Sequence, residues 1–250
     1  MTDRGMSEVL GFVLVFALIT GTVGIVYASG TNGLAHAQHA EKVTNVERAF
    51  DVLADSVQDI YLGGAPSRAT EVKLAGGSLS VNDTVTVKVR AEKVGDSDVN
   101  ATYATKLQPI VYDDTEGNTI VYADGAVLRA GSGGAVMLRD PKWVLRSDRS
   151  VVPLVNTYGT GSGIAGSGSV LIVTDGKSRE LQQPFDPGPG GVAQVDVTVT
   201  SPRVGAWKRF FEDQGLSPVD PSTDYNNVTY RFTTDRLYVT KTGVEVQFER

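Results

Sequence analysis

The stretch Val9–Ala28, VLGFVLVFALITGTVGIVYA, decides how this chain is organised. All twenty residues are uncharged, and most of them are large and apolar. At ~1.5 Å per residue, a helix of this length measures about 30 Å, which matches the hydrocarbon thickness of a bilayer. The stretch is therefore predicted to form a helix that can cross a membrane.

Three interpretations of this helix are open. As a secretory signal peptide it would be removed after Val26-Tyr27-Ala28, although its apolar run exceeds the roughly 7–15 residues typical of such peptides. As a plain anchor it would be retained, with Arg4 as a single cation on the cytoplasmic side. The third interpretation depends on the residues that precede the helix.

Those residues, Arg4-Gly5-Met6-Ser7-Glu8-Val9-Leu10-Gly11-Phe12, resemble the class III signal peptide of archaeal type IV pilin-like proteins, especially the haloarchaeal ones. The resemblance implies that a prepilin peptidase removes a leader, residues 1–5, by cutting between Gly5 and Met6 just after Arg4. Glu8 would then stand third in the mature chain, near the start of the helix. The apolar helix would be retained, first as a membrane anchor and then in the core of a filament.

A second helical stretch is predicted from about Leu34 to Leu62. The residues before it, 29–33, favour turns and predict a kink or a brief break. Apolar residues then recur in steps of three and four, which is typical of one face of an amphipathic helix: Val43, Val46, Phe50, Leu53, Val57 and Ile60. We expect this stripe to pack on the domain that follows. Gly63-Gly64-Ala65-Pro66 predicts the end of the helix.

Beyond residue 62 the hydrophobic period changes from helical to two, which is typical of strands. Six runs of β-branched or aromatic residues carry this signal: 85–90, 119–122, 170–173, 192–199, 229–232 and 244–248. One short helix is predicted over Ser201–Gln214, and the Pro- and Gly-rich run 183–191 is predicted to be a loop. The predicted class is α+β, with a transmembrane and stalk helix over 6–62 and an antiparallel, sandwich-like β-rich domain over 63–250.

Composition excludes several kinds of site. The 250 residues include no cysteine, so disulfides, thiolate zinc sites and cysteine nucleophiles cannot form. The two histidines, His36 and His39, lie in the predicted stalk, where a solvated surface is the preferred interpretation. A formal net charge of −6 argues against a nucleic-acid partner. We therefore expect no enzyme activity and assign no catalytic, cofactor-binding or metal-ligating residue, with carboxylate-only catalysis left open.

Three further motifs need an interpretation. Gly161–Gly166 matches G-x-G-x-x-G, but a strand-like run follows it where a nucleotide site needs a helix, so a hairpin connection is predicted. Asp113–Asn118 is predicted to be a polar turn rather than a calcium loop. Three sequons place N-glycan acceptors in the part that the pilin interpretation exports: Asn82, Asn100 and Asn227.

Together these patterns predict a pilin-like cell-surface subunit. Its helix would assemble with like subunits or other pilins into a type IV pilus-like filament, or it would act as a minor pilin, with adhesion as a further role. Its other partners would be the membrane and a prepilin peptidase, and its C-terminal domain would be extracellular. The alternative is a monomeric, membrane-anchored extracellular binding module, and an exported hydrolase is third.

Overall fold

The computed structural model describes residues 3–81, 84–159, 163–219 and 226–250. The side chains of residues 3–8, 28, 30–33, 35 and 36 fall outside this description. The chain divides into two compact units, Met1–Thr44 and Asn45–Arg250. We call the second one the β-rich unit. It begins at Asn45, whereas the sequence predicts a domain boundary at residue 62, because the end of the helix contributes side chains to its core.

Helix α1 is Asp3–Tyr61. Residues 29–33, where a break or kink is predicted, are helical. The helix ends one residue before the predicted position. Gly64 adopts a positive φ of 75°, and its N–H donates to the carbonyl of Ile60 at 3.2 Å, which is the expected glycine-dependent helix end.

The described part of the β-rich unit contains a second helix and fifteen strands. The helix α2 is Val204–Asp213, within the predicted range. The strands are β1 Ser67–Lys73, β2 Ser78–Val81, β3 Val85–Lys93, β4 Asp96–Leu107, β5 Ile110–Asp113, β6 Thr119–Ala123, β7 Ala126–Gly131, β8 Gly134–Arg139, β9 Ser150–Gly159, β10 Ile164–Ala165, β11 Ser169–Leu181, β12 Ala193–Thr200, β13 Ser217–Pro218, β14 Asn227–Thr234 and β15 Leu237–Glu249. All six strand-like runs of the sequence lie in strands, except that Val192 precedes β12 by one residue.

These strands form three sheets. Their orders are β1-β11-β15-β9, β10-β2-β5-β6-β7-β8 and β13-β14-β12-β3-β4. Pairing among the described strands is antiparallel, except that β15 pairs with β9 in parallel. The predicted class, an apolar helix followed by a β-rich domain with antiparallel sheets, is therefore confirmed, and the one parallel pair departs from it.

The six-stranded sheet separates two hydrophobic cores. Alternate residues of a strand point to opposite faces, and both faces are buried along β5 and β6. One core contains Val111 and Val121 with the five-stranded sheet and α2. The other contains Ile110 and Ile120 with the end of α1. The continuous apolar run of these strands is what burial on both faces requires.

The end of α1 belongs to the second core, as its stripe predicts. Five stripe residues are buried there: Val46, Phe50, Leu53, Val57 and Ile60. In the first core, α2 supplies Trp207, Phe210 and Phe211, whose rings pack against Trp143 with centroids 5.9–6.0 Å apart. Ring pairs at this spacing add about 0.5–1.5 kcal/mol beyond the area that they bury.

The two loop motifs differ in outcome. Asp113–Asn118 joins β5 to β6 as a polar turn, in which a carboxylate oxygen of Asp114 accepts the N–H groups of Glu116 and Asn118, each at 2.8 Å. Gly161 lies outside the described residues. The end of the same motif is not a plain hairpin connection, because Ile164 and Ala165 form β10 and pair with β2.

Candidate functional site

The main candidate is the apolar segment, which we define as Val9–Tyr27. Its 19 residues have a mean hydropathy of 2.6, and none of the segment is buried within the chain. Phe12 and Val26, for example, are 71% and 70% exposed. Covering a large apolar side chain is worth about 1.5–3 kcal/mol, so the whole segment represents on the order of tens of kcal/mol. A lipid bilayer or other helices can cover such a helix, which also has the length and composition of a signal sequence.

The polar and small residues of the apolar segment are compatible with such a cover. The Thr22 hydroxyl donates to the Leu18 carbonyl at 2.6 Å, so it needs no water partner. At three glycines, Gly11, Gly21 and Gly24, a Cβ atom would meet no neighbouring group of the described residues within 4 Å. The described fold of a single chain therefore leaves room for larger side chains at these positions. In a membrane or a helical core, small residues allow backbones to approach closely.

The predicted leader and helix-start residues lie at the beginning of α1. The backbone of Arg4, Gly5, Met6 and Glu8 is helical, and their side chains lie outside the described part of the chain. Leader processing between Gly5 and Met6 therefore stays a prediction.

Within the β-rich unit, a cluster that we call the helix clamp joins the end of α1 to strand β8. It consists of Arg139 of β8 with Asp51, Asp55 and Gln58 of α1. Arg139 donates to the Asp51 carboxylate at 2.9 Å, to Gln58 at 3.2 Å and to the Asp55 carboxylate. The hydrogen bond from Arg139 holds the pKa of Asp55 below its usual value. The Arg139 side chain is only 15% exposed, so its contacts are screened less than those of a surface pair.

A buried polar cluster lies at the turn between β6 and β7. Asp124 and Gly125 form this turn with φ values of 49° and 85°, as is typical of an Asp-Gly hairpin. The Asp124 carboxyl is buried, one oxygen accepts the Val155 N–H at 2.6 Å, and burial raises its pKa well above the usual value. Its other oxygen and the Tyr122 hydroxyl have no hydrogen-bond partner among the described residues. The turn is readable from the sequence, but this burial is not.

A polar cleft of about 620 Å³ is bounded by three loops of the β-rich unit. Arg236 pairs with Asp186 at 3.1 Å, and Asp186 also accepts the Gly188 N–H at 2.9 Å. Asp148, Arg149 and Asp235 complete the charged rim. The cleft presents both signs of charge to solvent, which suits a small polar ligand. Across the described ranges, no cluster of three His, Cys, Asp or Glu residues is arranged to hold a metal ion.

The sequons fall in different settings. Asn82 lies outside the described residues. Asn100 is exposed on β4, the edge strand of the five-stranded sheet. Asn227 is half-buried on β14 and lies opposite Thr200 of β12. The structure therefore separates two sequons that look equivalent in the sequence.

Comparison with known proteins defines the family. Residues 4–247 match a family profile described as "Family of unknown function (DUF7289)". The chain belongs to this family. The matched range of the DUF7289 profile includes both the apolar segment and the β-rich unit.

One relative in the same comparisons comes from Archaeoglobus fulgidus and is described as an uncharacterized protein. It is 23% identical over 80 residues, which are 32% of this chain and 26% of that protein. The matched region thus spans about a quarter of the relative's length. No solved structure matched the chain.

Proposed function

We propose that this protein is a pilin-like cell-surface subunit that assembles through its N-terminal helix into a type IV pilus-like filament, as a major or a minor component. In this proposal the apolar segment first anchors the chain in the membrane and then packs among the helices of other subunits. The β-rich unit is extracellular and forms the outer surface, where it can serve adhesion.

The observation that carries the proposal is the exposure of the apolar segment. None of the described residues covers it, and it contains no charged side chain. A lipid bilayer covers such a helix, and so does a filament core in which several helices surround each one. The DUF7289 match includes the apolar segment together with the β-rich unit, so the combination of the two belongs to the family.

The charge pattern supports an exported β-rich unit. Arg4 precedes the apolar segment, and residues 28–40 that follow it contain no Lys, Arg, Asp or Glu. A cation on one side of a first helix favours the cytoplasm for that side. The β-rich unit would then be on the outside.

The second candidate is a monomeric, membrane-anchored extracellular binding module. The polar cleft beside Asp186 and Arg236 favours it, because a cleft of about 620 Å³ has the size of a small-molecule site. The two candidates agree on the anchor and differ in what happens to the helix after insertion.

The deciding experiment is to shear cells that produce the full chain and to image the released material by electron microscopy. We expect fibres that contain the protein, and sequencing of its amino terminus should give Met6. The Gly5→Leu variant should keep the leader and release no fibres, because a bulky residue at the cut obstructs the peptidase. Gly11→Leu, a matched change outside the proposed cut site, should be processed normally.

Other results would contradict the proposal in distinct ways. A mature chain that begins at Ser29 would identify a secretory signal peptide. A chain that begins at Met1 and stays wholly with the membrane, with no fibres, would favour the anchored binding module. Normal processing of Gly5→Leu would disprove the proposed cut site.

A further inference from the structure

We infer that, of the two sequons that the structure describes, Asn100 is N-glycosylated and Asn227 is left unmodified. The inference rests on the proposed export of this unit, because N-glycan transfer takes place on exported chain. It goes further in choosing between sequons on structural grounds.

Asn100 lies beside a bulge in an edge strand. Strand β3 continues from Glu92 to Lys93, but their partners on β4 are Asn100 and Asp96. The three residues between those partners, Ser97 to Val99, therefore have no partner on β3 and are exposed. A bulge at an edge leaves the backbone accessible on one side. An enzyme can reach the chain here without opening the sheet.

The two side chains that define this sequon, the Asn100 amide and the Thr102 hydroxyl, lie on the same face of β4. Residues i and i+2 of a strand point to the same face, and both Asn100 and Thr102 are exposed. They also line an open cleft of about 430 Å³ between β4 and residues 182–186. This space can receive the first sugar of a glycan beside the strand.

The hydrogen bonds of Asn100 tolerate the modification. Its side-chain nitrogen donates to the Ser97 carbonyl at 2.8 Å and, more weakly, to the Asp98 carbonyl at 3.4 Å. Glycosylation replaces one of the two N–H hydrogens by the sugar and leaves the other. The shorter bond to Ser97 can therefore persist, and the bulge keeps its shape.

The Asn227 sequon lacks these features. Asn227 is half-buried in β14, which lies between β12 and β13 in the sheet. The hydroxyl of its partner residue, Thr229, is already hydrogen-bonded to the Thr198 hydroxyl across the ladder at 2.9 Å. A glycan here would disturb packing inside the sheet.

The reaction is a group transfer with a lipid-linked oligosaccharide phosphate as the co-substrate. The Asn100 side-chain nitrogen attacks the anomeric carbon, a nitrogen–carbon bond forms, and the carbon–oxygen bond to the lipid phosphate breaks. The lipid phosphate leaves with the electron pair and one additional negative charge, and the amide proton passes to the solvent, which balances that charge. No oxidant or reductant is needed.

The test is to produce the full chain in its native host and to measure intact mass and glycopeptides. We expect a glycan mass on the peptide that contains Asn100 and none on the peptide that contains Asn227. Asn100→Gln and Thr102→Ala should each lose the added mass on that peptide completely. Thr102→Ser should keep it, since serine preserves the sequon, and Asn227→Gln should leave it unchanged.

A topology control separates failure of this inference from failure of the proposed function. The chain has no cysteine, so Ser167→Cys places a single thiol at an exposed turn of the β-rich unit. Labelling of intact cells by a membrane-impermeant maleimide, without glycan on Asn100, would overturn the inference and leave export standing. Labelling only after lysis would overturn both. A glycan on Asn227 with Asn100 unmodified would also overturn the inference.

Discussion

The two ends of helix α1 differ in what covers their apolar side chains. In the apolar segment, Val9–Tyr27, no side chain is buried, whereas in Asn45–Tyr61 Phe50, Leu53 and Val57 are fully buried in the β-rich unit. The later region alternates this stripe with one Glu, one Arg and three Asp residues, so one face can meet its own chain and the other can meet water. The apolar segment has no polar face. One helix thus combines a part that its own fold covers with a part that needs an external cover.

The largest expected effect is on the stability of the β-rich unit. Phe50→Ala leaves a cavity in the core between α1 and the sheets, and such changes cost about 3–5 kcal/mol. For a unit of this size, that lowers the melting temperature by about 10 °C. Phe16→Ala, the same change in the apolar segment, should leave the melting temperature of the unit unchanged. Thermal unfolding of the full chain in detergent, followed by circular dichroism, compares the two. Equal losses would contradict the distinction drawn here.

The complementary change is a charge in the apolar segment. Val15→Lys puts a lysine near the centre of the proposed span, at a cost of about 2.5–3.5 kcal/mol for membrane insertion. We expect a smaller fraction of the protein to resist alkaline extraction from membranes. The matched variant is Val52→Lys, because Val52 is 55% exposed in the region of α1 that the β-rich unit covers. Its extraction should equal that of the wild type. If Val15→Lys inserted equally well, the apolar segment would not be the span.

The helix clamp predicts a smaller effect. Arg139→Ala leaves Asp51 and Asp55 without their partner, and we expect a loss of about 1–3 kcal/mol in the free energy of unfolding of the β-rich unit. Arg129→Ala removes a single pair with Glu47, 2.8 Å long, from an arginine that is 47% exposed against 15% for Arg139, and should cost less than about 1 kcal/mol. Urea unfolding of both variants measures the difference. A larger loss for Arg129→Ala would show that the clamp does not hold the helix.

The clamp also illustrates how far the sequence could go. Periodicity and the Gly and Pro residues of the sequence predict the α1 stripe, its end near Gly64, the six strand runs and α2, because each depends on neighbours within a few residues. Arg139 and Asp55 lie 84 positions apart, and nothing local pairs them. The parallel pairing of β15 with β9, the burial of Asp124 and the cleft beside Asp186 likewise depend on distant strands meeting. The apolar segment, by contrast, is readable as a candidate site because its composition alone identifies it.

The smallest effect on stability, near zero at about pH 4, concerns the buried carboxyl of Asp124. Its turn lies beside the end of α1, since a Cβ placed on Gly125 would stand 3.4 Å from the Tyr61 hydroxyl. Burial raises the pKa of Asp124 above its unfolded value of about 4, so its contribution to stability is fully present below about pH 4. That contribution is lost as the pH rises through the folded pKa. Asp124→Asn removes this titration, keeps an oxygen for the Val155 N–H and tolerates the positive φ.

We therefore expect Asp124→Asn to differ little from the wild type at pH 4 and to become relatively more stable as the pH rises. The neighbouring tyrosines do not titrate between pH 4 and pH 9, because burial raises the pKa of Tyr61 to about 12 and that of Tyr122 well above its usual value. Asp148→Asn, at an exposed position, supplies the control for the loss of one carboxyl group. Melting temperatures of the three proteins between pH 4 and pH 9 measure the effect. Parallel curves for Asp124→Asn and the wild type would mean that the Asp124 carboxyl titrates alike in the folded and unfolded chains. The turn beside the end of α1 would then contain no carboxyl group whose burial makes stability depend on pH.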